Sequence, residues 1–151
     1  MGRFAGIGIL TLAALLFTFS SALAGFDIPS GVYRIGQLDE ALDHAEMYGR
    51  PITFVYANKR TDCGLAAAAA RDLFKQLGER TVLIYLESGE DWGEVPALVK
   101  KALKSEAAGR FIPRAVIVDQ NLSEVIQIIP YAKQEERGRL LRQAKKKLGA
   151  Y

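Results

Sequence analysis

The sequence predicts a single α/β domain built around a mixed β-sheet. Two runs of β-branched and aromatic residues, Ile52 to Ala57 and Thr81 to Leu86, are apolar enough to be strands buried on both faces. Further along, Arg114 to Asp119 and Glu124 to Ile129 are joined by the turn-rich stretch DQNLS, which predicts an antiparallel hairpin. Because helical patterns separate the earlier strands, we expect a parallel portion of the sheet beside this antiparallel one.

Helices are predicted where apolar residues recur every three to four positions. A short edge strand at Val32 to Ile35 is expected before the first helix, and the last helix closes the chain after the hairpin. The predicted helices are Gln37 to Tyr48, stopped by Gly49 and Pro51; about Asp62 or Cys63 to Leu77; about Glu94 to Ala107, with Pro96 near its first turn; and Tyr131 to Leu148, with Leu140, Leu141, Ala144 and Leu148 on one side.

The first 24 residues differ in composition from the rest of the chain. Arg3 is followed by an apolar run from about Phe4 to Phe19, and Ala22-Leu23-Ala24 matches the small-residue pattern at which signal peptides are cleaved. We therefore expect residues 1–24 to be a cleaved signal peptide and residues 25–151 to be a periplasmic or secreted domain. The alternative is an uncleaved membrane anchor formed by residues 4–23, since the run approaches the roughly 18 residues that begin to span a bilayer.

The net charge and the cysteine and histidine content argue against nucleic-acid binding, an internal disulfide and a zinc site. The formal net charge of +3 falls to +2 (3 minus 1) without Arg3, a weakly basic balance that gives no indication of nucleic-acid binding. Cys63 is the only cysteine, so no internal disulfide can form, while an intermolecular disulfide through Cys63 is open. With one histidine besides that cysteine, the chain lacks the ligands of a zinc site, and no metal or cofactor is expected.

Three stretches of the mature chain resemble the thioredoxin-fold superfamily. GRPITFVYANKRTDCG is similar to the family's buried strand and short loop, which end in a cysteine at a helix start. FIPR followed by AVIVD resembles the family's proline-led strand, in which the Ile–Pro bond is cis and faces the active cysteine. AVIVDQNLSEVIQIIPY and the basic helix after it resemble the closing hairpin and last helix. The resemblance covers about Gln37 to Leu148 and implies a three-layer α/β/α sandwich.

The resemblance also implies a site. It makes Cys63 the candidate nucleophile of thiol–disulfide exchange, and it makes Ile112 and cis-Pro113 the residues that receive an extended substrate segment. The chain departs from the family's Trp-Cys-x-x-Cys motif, because Asp62 stands at the tryptophan position and Ala66 at that of the second cysteine. The acid that the family buries on its first central strand also has no match, since the corresponding position falls near Ala57.

One thiol at a helix start still supports chemistry. The helix N-terminus favours a thiolate, and Lys59, Arg60 and Arg114 are expected to add to this effect. Asp62 opposes it through its charge, unless its carboxylate caps the helix. A single thiol can form mixed disulfides that a small thiol or a partner resolves, so a protein thiol or disulfide client or a small thiol is the expected partner. The alternative function is a non-catalytic interaction or structural module that has lost the dithiol chemistry.

Two features lie outside this site. Trp92, in a loop flanked by glycine and acidic residues, is expected to be a partly buried loop anchor. The basic residues of the last helix are expected to form a solvated face, with contact to anionic lipid as the alternative. Membrane contact through the N-terminal segment is expected only if that segment is not cleaved. The basic residues are Lys133, Arg137, Arg139, Arg142, Lys145, Lys146 and Lys147.

Overall fold

The computed structural model describes residues 25–89 and 92–149. The predicted signal peptide, residues 1–24, lies outside the described residues. Within the described ranges, no helix has the length and apolar character needed to cross a membrane.

The described part of the chain contains strands and helices in the alternating order that the sequence predicts. The strands are β1 (Tyr33–Arg34), β2 (Ile52–Ala57), β3 (Val82–Glu87), β4 (Arg114–Val118) and β5 (Val125–Ile129); the helices are α1 (Leu38–Tyr48), α2 (Gly64–Leu77), α3 (Ala97–Leu103) and α4 (Gln134–Leu148), with short 3-10 helices at Ile35–Gln37 and Glu106–Ala108.

The strands form one mixed sheet in the order β1-β3-β2-β4-β5. Both β1 and β2 run parallel to β3, whereas β4 runs antiparallel to β2 and to β5. Helix α2 makes the crossover between the parallel neighbours β2 and β3, while β4 and β5 are joined directly by the loop from Asp119 to Glu124. The prediction of a central mixed sheet with a C-terminal antiparallel hairpin and a final helix is confirmed.

A hydrophobic core lies on each face of this sheet. Val55 and Ile117 point to the face that α2 and α4 cover, while Phe54 and Val116 point to the face that α1 and α3 cover. This alternation follows from the two-residue period of a strand, and it explains why β2 is apolar at nearly every position. The result is a three-layer α/β/α sandwich.

The alanine-rich segment of α2 packs closely on the sheet. Ala67 and Ala70 are fully buried together with Leu73 and Leu77, which places the small residues of the first two turns over the sheet and the larger ones further along. Alanine is the strongest helix former, and its single methyl group allows the helix backbone to approach the strands. The start of α2 is therefore held firmly in position.

Three predicted helix boundaries were wrong. The helix predicted from Glu94 to Ala107 is α3 alone, because Pro96 has an extended ψ of 141° and stands before the helix rather than within it. The last helix begins at Gln134 instead of Tyr131, because Lys133 is extended, with a ψ of 160°. At the start of the chain, Gln37 belongs to a 3-10 helix that leads into α1.

Candidate functional site

Cys63 lies at the N-terminus of α2, after the loop that leaves the end of β2. Its backbone is extended (φ −89°, ψ 108°) and it is the residue that precedes the helix, with Gly64 as the first helical residue. The first intrahelical hydrogen bond runs from the Ala67 amide to the Cys63 carbonyl at 3.0 Å. The Cys63 side chain is exposed and makes no capping hydrogen bond, so its sulfur is open to solvent beside the free amides of the first turn.

Two polar side chains shape the loop before Cys63. The Asn58 carboxamide oxygen accepts a hydrogen bond from the Arg60 amide at 2.8 Å, and the Thr61 hydroxyl accepts one from the Cys63 amide at 3.2 Å. Short turns of this kind are typical of asparagine and threonine, which is the sequence signal that could have identified them. Asp62 is not the helix cap, because Cys63 occupies that position.

Tyr85, from the neighbouring strand β3, anchors the same loop. Its ring is buried, and its hydroxyl accepts a hydrogen bond from the Lys59 amide at 3.1 Å. The same hydroxyl is within donor distance of the Glu87 carboxylate at 2.7 Å and of the Ala57 carbonyl at 3.2 Å. One phenol therefore connects the end of β2, the loop and the end of β3, a role that sequence reasoning missed because it joins residues 26 positions apart.

The hydroxyl of Tyr85 stays protonated at every pH at which proteins usually work. Burial of the ring raises the pKa of Tyr85 above its ordinary value, and the Glu87 carboxylate raises that pKa further. Glu87 lies directly beside Ala57 in the parallel pairing of β2 and β3. An acidic group is thus present near the position where the family resemblance implied one, but it comes from the adjacent strand.

The Ile112–Pro113 peptide bond is cis, as the sequence resemblance implied. Pro113 is buried and Ile112 is half-buried. Tyr56 pairs with Arg114 in the antiparallel ladder between β2 and β4, so Pro113 lies at the same end of the sheet as the loop to Cys63. Strand alternation places Pro113 on the same face as Ala115, which is the face that α2 covers.

Arg114 makes its contacts on the other face of the sheet. Its guanidinium lies 5.1 Å from the centroid of the Tyr56 ring and donates to the Gly109 carbonyl at 2.5 Å, while its buried Nε atom has no hydrogen-bond partner among the described residues. Tyr56 in turn packs edge-on against Trp92, with ring centroids 5.0 Å apart. The structure therefore places Arg114 in a cluster with aromatic rings rather than at Cys63, and it confirms Trp92 as a partly buried loop anchor.

The other charged residues of the loop are not tied to partners. Lys59 is half-buried, whereas Arg60 and Asp62 are exposed. The ion pairs among residues 25–89 and 92–149 join Arg137 to Asp72 and Arg139 to Glu136, so none of them involves Lys59, Arg60 or Asp62.

Exposed apolar side chains flank the thiol end of the sheet. Leu65, in the first turn of α2, is 69% exposed, and Phe111, two residues before Pro113, is 73% exposed. Phe111 stacks edge-on with Tyr131, with centroids 6.4 Å apart, so its ring is supported rather than loose. Leu65 and Phe111 are therefore apolar groups at this end of the sheet that are accessible to a second molecule.

Comparison with known proteins identifies the fold through solved structures. No protein-family model matches the chain, and no curated protein matches it. The solution structure of a thioredoxin from Thermus thermophilus matches with a TM-score of 0.51 and 17% sequence identity, over 80% of this chain and 92% of that chain. The chain has a thioredoxin-like fold. A disulphide isomerase from Xylella fastidiosa Temecula1 also matches, with a TM-score of 0.42 and 15% identity, over 80% of this chain and 86% of that one.

The sequence motif that the resemblance implied has two thiols, and this chain has one. Ala66, three residues after Cys63 and one helical turn away, is half-buried and carries only a methyl group. The arrangement can supply a nucleophile, a cis-proline and an apolar rim, but it contains no second thiol to release a bound partner.

Proposed function

We propose that the chain is an extracytoplasmic thiol–disulfide exchange protein that works with the single thiol of Cys63. The observation that carries the proposal is the placement of an exposed thiol at the N-terminus of a 14-residue helix, at the same end of the sheet as cis-Pro113. The nucleophile in disulfide exchange is a thiolate, and the free amides in the first turn of α2 are donors that can hydrogen-bond to it.

The proposed reaction has two steps. The Cys63 thiolate attacks one sulfur of a client disulfide, forms a mixed disulfide and expels the other client sulfur as a thiolate. Because Ala66 offers no second thiol, a small thiol or another client thiol then attacks the mixed disulfide and releases Cys63 as a thiolate. The number of disulfides is conserved in each step, so the chain redistributes disulfides without needing an oxidant of its own.

The surface around the thiol supports a polypeptide client. Leu65 and Phe111 offer apolar contacts on two sides of the site, and the backbone at half-buried Ile112 precedes a proline that has no amide hydrogen. An extended segment could pair with the backbone here while its side chains contact Leu65 and Phe111. Lys59, Arg60 and Asp62 would adjust the charge preference for such a segment.

The proposed location rests on residues 1–24. Their apolar run and the Ala22-Leu23-Ala24 pattern support export followed by cleavage, and an anchor formed by residues 4–23 is the alternative. The mass of the protein recovered from the producing cell distinguishes the two. A mature chain that starts at Gly25 supports a soluble periplasmic or secreted protein, whereas an intact N-terminus supports the anchor.

The reactivity of Cys63 tests the proposed chemistry. We expect iodoacetamide to modify Cys63 about tenfold faster at pH 7 than a control thiol without a helix N-terminus beside it. The control is Ser30→Cys in a Cys63→Ser background, because Ser30 is exposed and lies in a turn outside the helices and strands. Non-reducing gels of extracts that contain the wild-type chain should show mixed disulfides, and these should be absent with Cys63→Ser.

A non-catalytic interaction module is the second candidate function. Two substitutions in the motif favour it: Asp62 stands at the tryptophan position and Ala66 at the position of the second cysteine. If Cys63 reacts no faster than the control thiol and captures no client, the exchange reaction is rejected and this second function stands.

A further inference from the structure

The two outer layers of the sandwich carry opposite charge. Helix α1 contains four acidic residues and no lysine or arginine. Helix α4 contains six basic and two acidic residues, a net charge of +4. Because α1 and α4 cover opposite faces of the sheet, the molecule has an acidic side and a basic side.

The basic side extends over both helices of its layer. We define the α2–α4 face as the exposed charged residues of α2, α4 and the residues next to them. Basic residues outnumber acidic ones by eight to four on this face, among the residues that the structure describes. The basic ones are Arg71, Lys75, Arg80, Lys133, Arg139, Arg142, Lys146 and Lys147, and the acidic ones are Asp62, Glu79, Glu135 and Glu136.

Several of these cations are not neutralised within the protein. Arg139 pairs loosely with Glu136 at 3.6 Å, and Lys147 donates to the Ile126 carbonyl at 3.2 Å. Arg142 and Lys146 are exposed, and neither has an ion pair within the described ranges. Their spacing of four residues places them one above the other on the outer side of α4, where their charges add.

The chain enters the domain in this same layer. The Gly25 carbonyl accepts a hydrogen bond from the Arg71 side chain at 3.0 Å, and the Phe26 amide donates to the Lys59 carbonyl at 3.2 Å, so these two residues lie beside α2 and the loop that precedes Cys63. Phe26 packs on Phe74 in the core beneath α2, with ring centroids 5.9 Å apart.

We propose that the α2–α4 face binds to the surface of an anionic lipid bilayer. A broad cationic face is attracted to anionic headgroups. The acidic α1 side is repelled by the same surface, so the two charged sides of the domain favour one orientation. The inference does not depend on the proposed thiol chemistry.

This orientation leaves the thiol accessible. Cys63 and Pro113 lie at one end of the sheet, at the edge of the layer that contains α2. A domain lying on its α2–α4 face would therefore hold the thiol at the lateral edge of the domain, open to clients close to the membrane.

Vesicle binding tests the proposal without the apolar segment. All five strands and both cores lie between Phe26 and Leu148, so the chain from Gly25 to Tyr151 is a complete folding unit. We expect it to sediment with phosphatidylcholine vesicles that contain about one-third phosphatidylglycerol, and not with pure phosphatidylcholine vesicles. Salt that shortens the Debye length to about 3 Å should release the bound protein.

A matched pair of variants locates the contact. Arg142→Gln with Lys146→Gln should weaken partitioning into the anionic vesicles about thirtyfold, by the loss of two cations. Arg50→Gln with Lys101→Gln removes the same charge from exposed positions next to α1 and on α3, and should change partitioning less than about threefold. Circular dichroism confirms that both variants are folded.

Three outcomes overturn the proposal. One is the absence of binding to anionic vesicles, and another is an equal loss in both double variants, which would reflect net charge alone. The third is salt-sensitive self-association in sedimentation velocity that Arg142→Gln with Lys146→Gln abolishes, without vesicle binding. That result would assign the α2–α4 face to the acidic α1 side of a second copy of the chain.

Discussion

At the scale of single residues, the position of the thiol loop depends on the Tyr85 hydroxyl. Tyr85→Phe keeps the buried ring but leaves the Lys59 amide without its acceptor, so we expect a loss of about 1 to 2 kcal/mol in the free energy of unfolding. Hydrogen exchange should become faster at the Lys59 amide, as measured by NMR. The control is Tyr33→Phe, which removes a hydroxyl bonded to His44 at 2.9 Å and should leave Lys59 exchange unchanged. Unchanged exchange in Tyr85→Phe would contradict the anchoring role.

Asp119 makes the turn between β4 and β5 sensitive to acid. Partial burial raises the pKa of the Asp119 carboxyl, but bonds from Glu124, Ser123 and Asn121 outweigh burial and hold the pKa below its ordinary value of 3.8. The unfolded chain therefore binds the proton more readily, so the stability that Asp119 contributes is present above pH 3.8 and is lost as the pH falls through the lower, folded pKa.

The Asp119→Ala variant tests this dependence. We expect it to be about 1 to 2 kcal/mol less stable than the wild type at pH 7, because several amides lose their acceptor. The difference between the two proteins, measured by urea unfolding, should shrink as the pH is lowered towards 2. A difference that stays constant over that range would show that the carboxylate charge does not stabilise the turn.

At the scale of secondary-structure elements, a partly buried ion pair joins α4 to α2. Arg137 is 6% exposed and donates to the Asp72 carboxylate through Nη2 at 2.7 Å and to the Ala132 carbonyl through Nη1 at 2.8 Å. The arginine is thus fully desolvated, while its partner remains in contact with water. The planar guanidinium of Arg137 donates its hydrogen bonds in fixed directions. It therefore fixes the orientation of α4 as well as attracting the carboxylate of Asp72.

Two arginines on α4 provide a matched test of this pair. Arg137→Gln should lower the free energy of unfolding by about 2 to 3 kcal/mol, since it removes three hydrogen bonds to α2 and to the start of α4. Arg139→Gln breaks a solvent-exposed pair on the same helix and should change stability by less than about 0.5 kcal/mol. Equal effects in chemical denaturation would contradict the structural role of Arg137.

The sequence was a good guide to elements whose residues face a core on both sides, and a poorer guide to helix ends. The strand Ile52–Ala57 was predicted with its observed bounds, because every second residue faces one of the two cores and all are apolar or β-branched. The start of α3 was predicted too early, since proline is compatible both with the first helical turn and with the residue before it. The loop contacts of Tyr85 could not be predicted, because they depend on the register of β2 and β3.

At the scale of the whole molecule, one sheet is shared by two cores, so unfolding should be cooperative. Trp92 is the only tryptophan and packs against the α1–α3 core, whereas Leu141 lies in the α2–α4 core. Leu141→Ala should lower stability by about 2 to 4 kcal/mol and shift the unfolding midpoint seen by Trp92 fluorescence as much as that seen by circular dichroism. Leu103→Ala, in the other core, is the matched control. Separate transitions in Leu141→Ala would show that the layers unfold independently.

The net charge of the chain does not show how its charged residues are distributed over the molecule. The net charge of +3 predicted no particular partner, but the fold places an acidic helix and a basic helix on opposite faces of the sheet. The sequence shows the charge of each helix; only the topology shows that the two charges are separated by the thickness of the molecule. The same topology brings Cys63 and Pro113, 50 positions apart in the sequence, to one end of the sheet.

The methyl group of Ala66 determines how the proposed exchange reaction would depend on its surroundings. With no internal thiol to displace a client, the half-life of a mixed disulfide at Cys63 varies inversely with the concentration of free thiol around the protein. Where thiols are abundant, one chain completes many turnovers. Where they are scarce, each chain retains one client, and the amount of protein made sets how many clients are held.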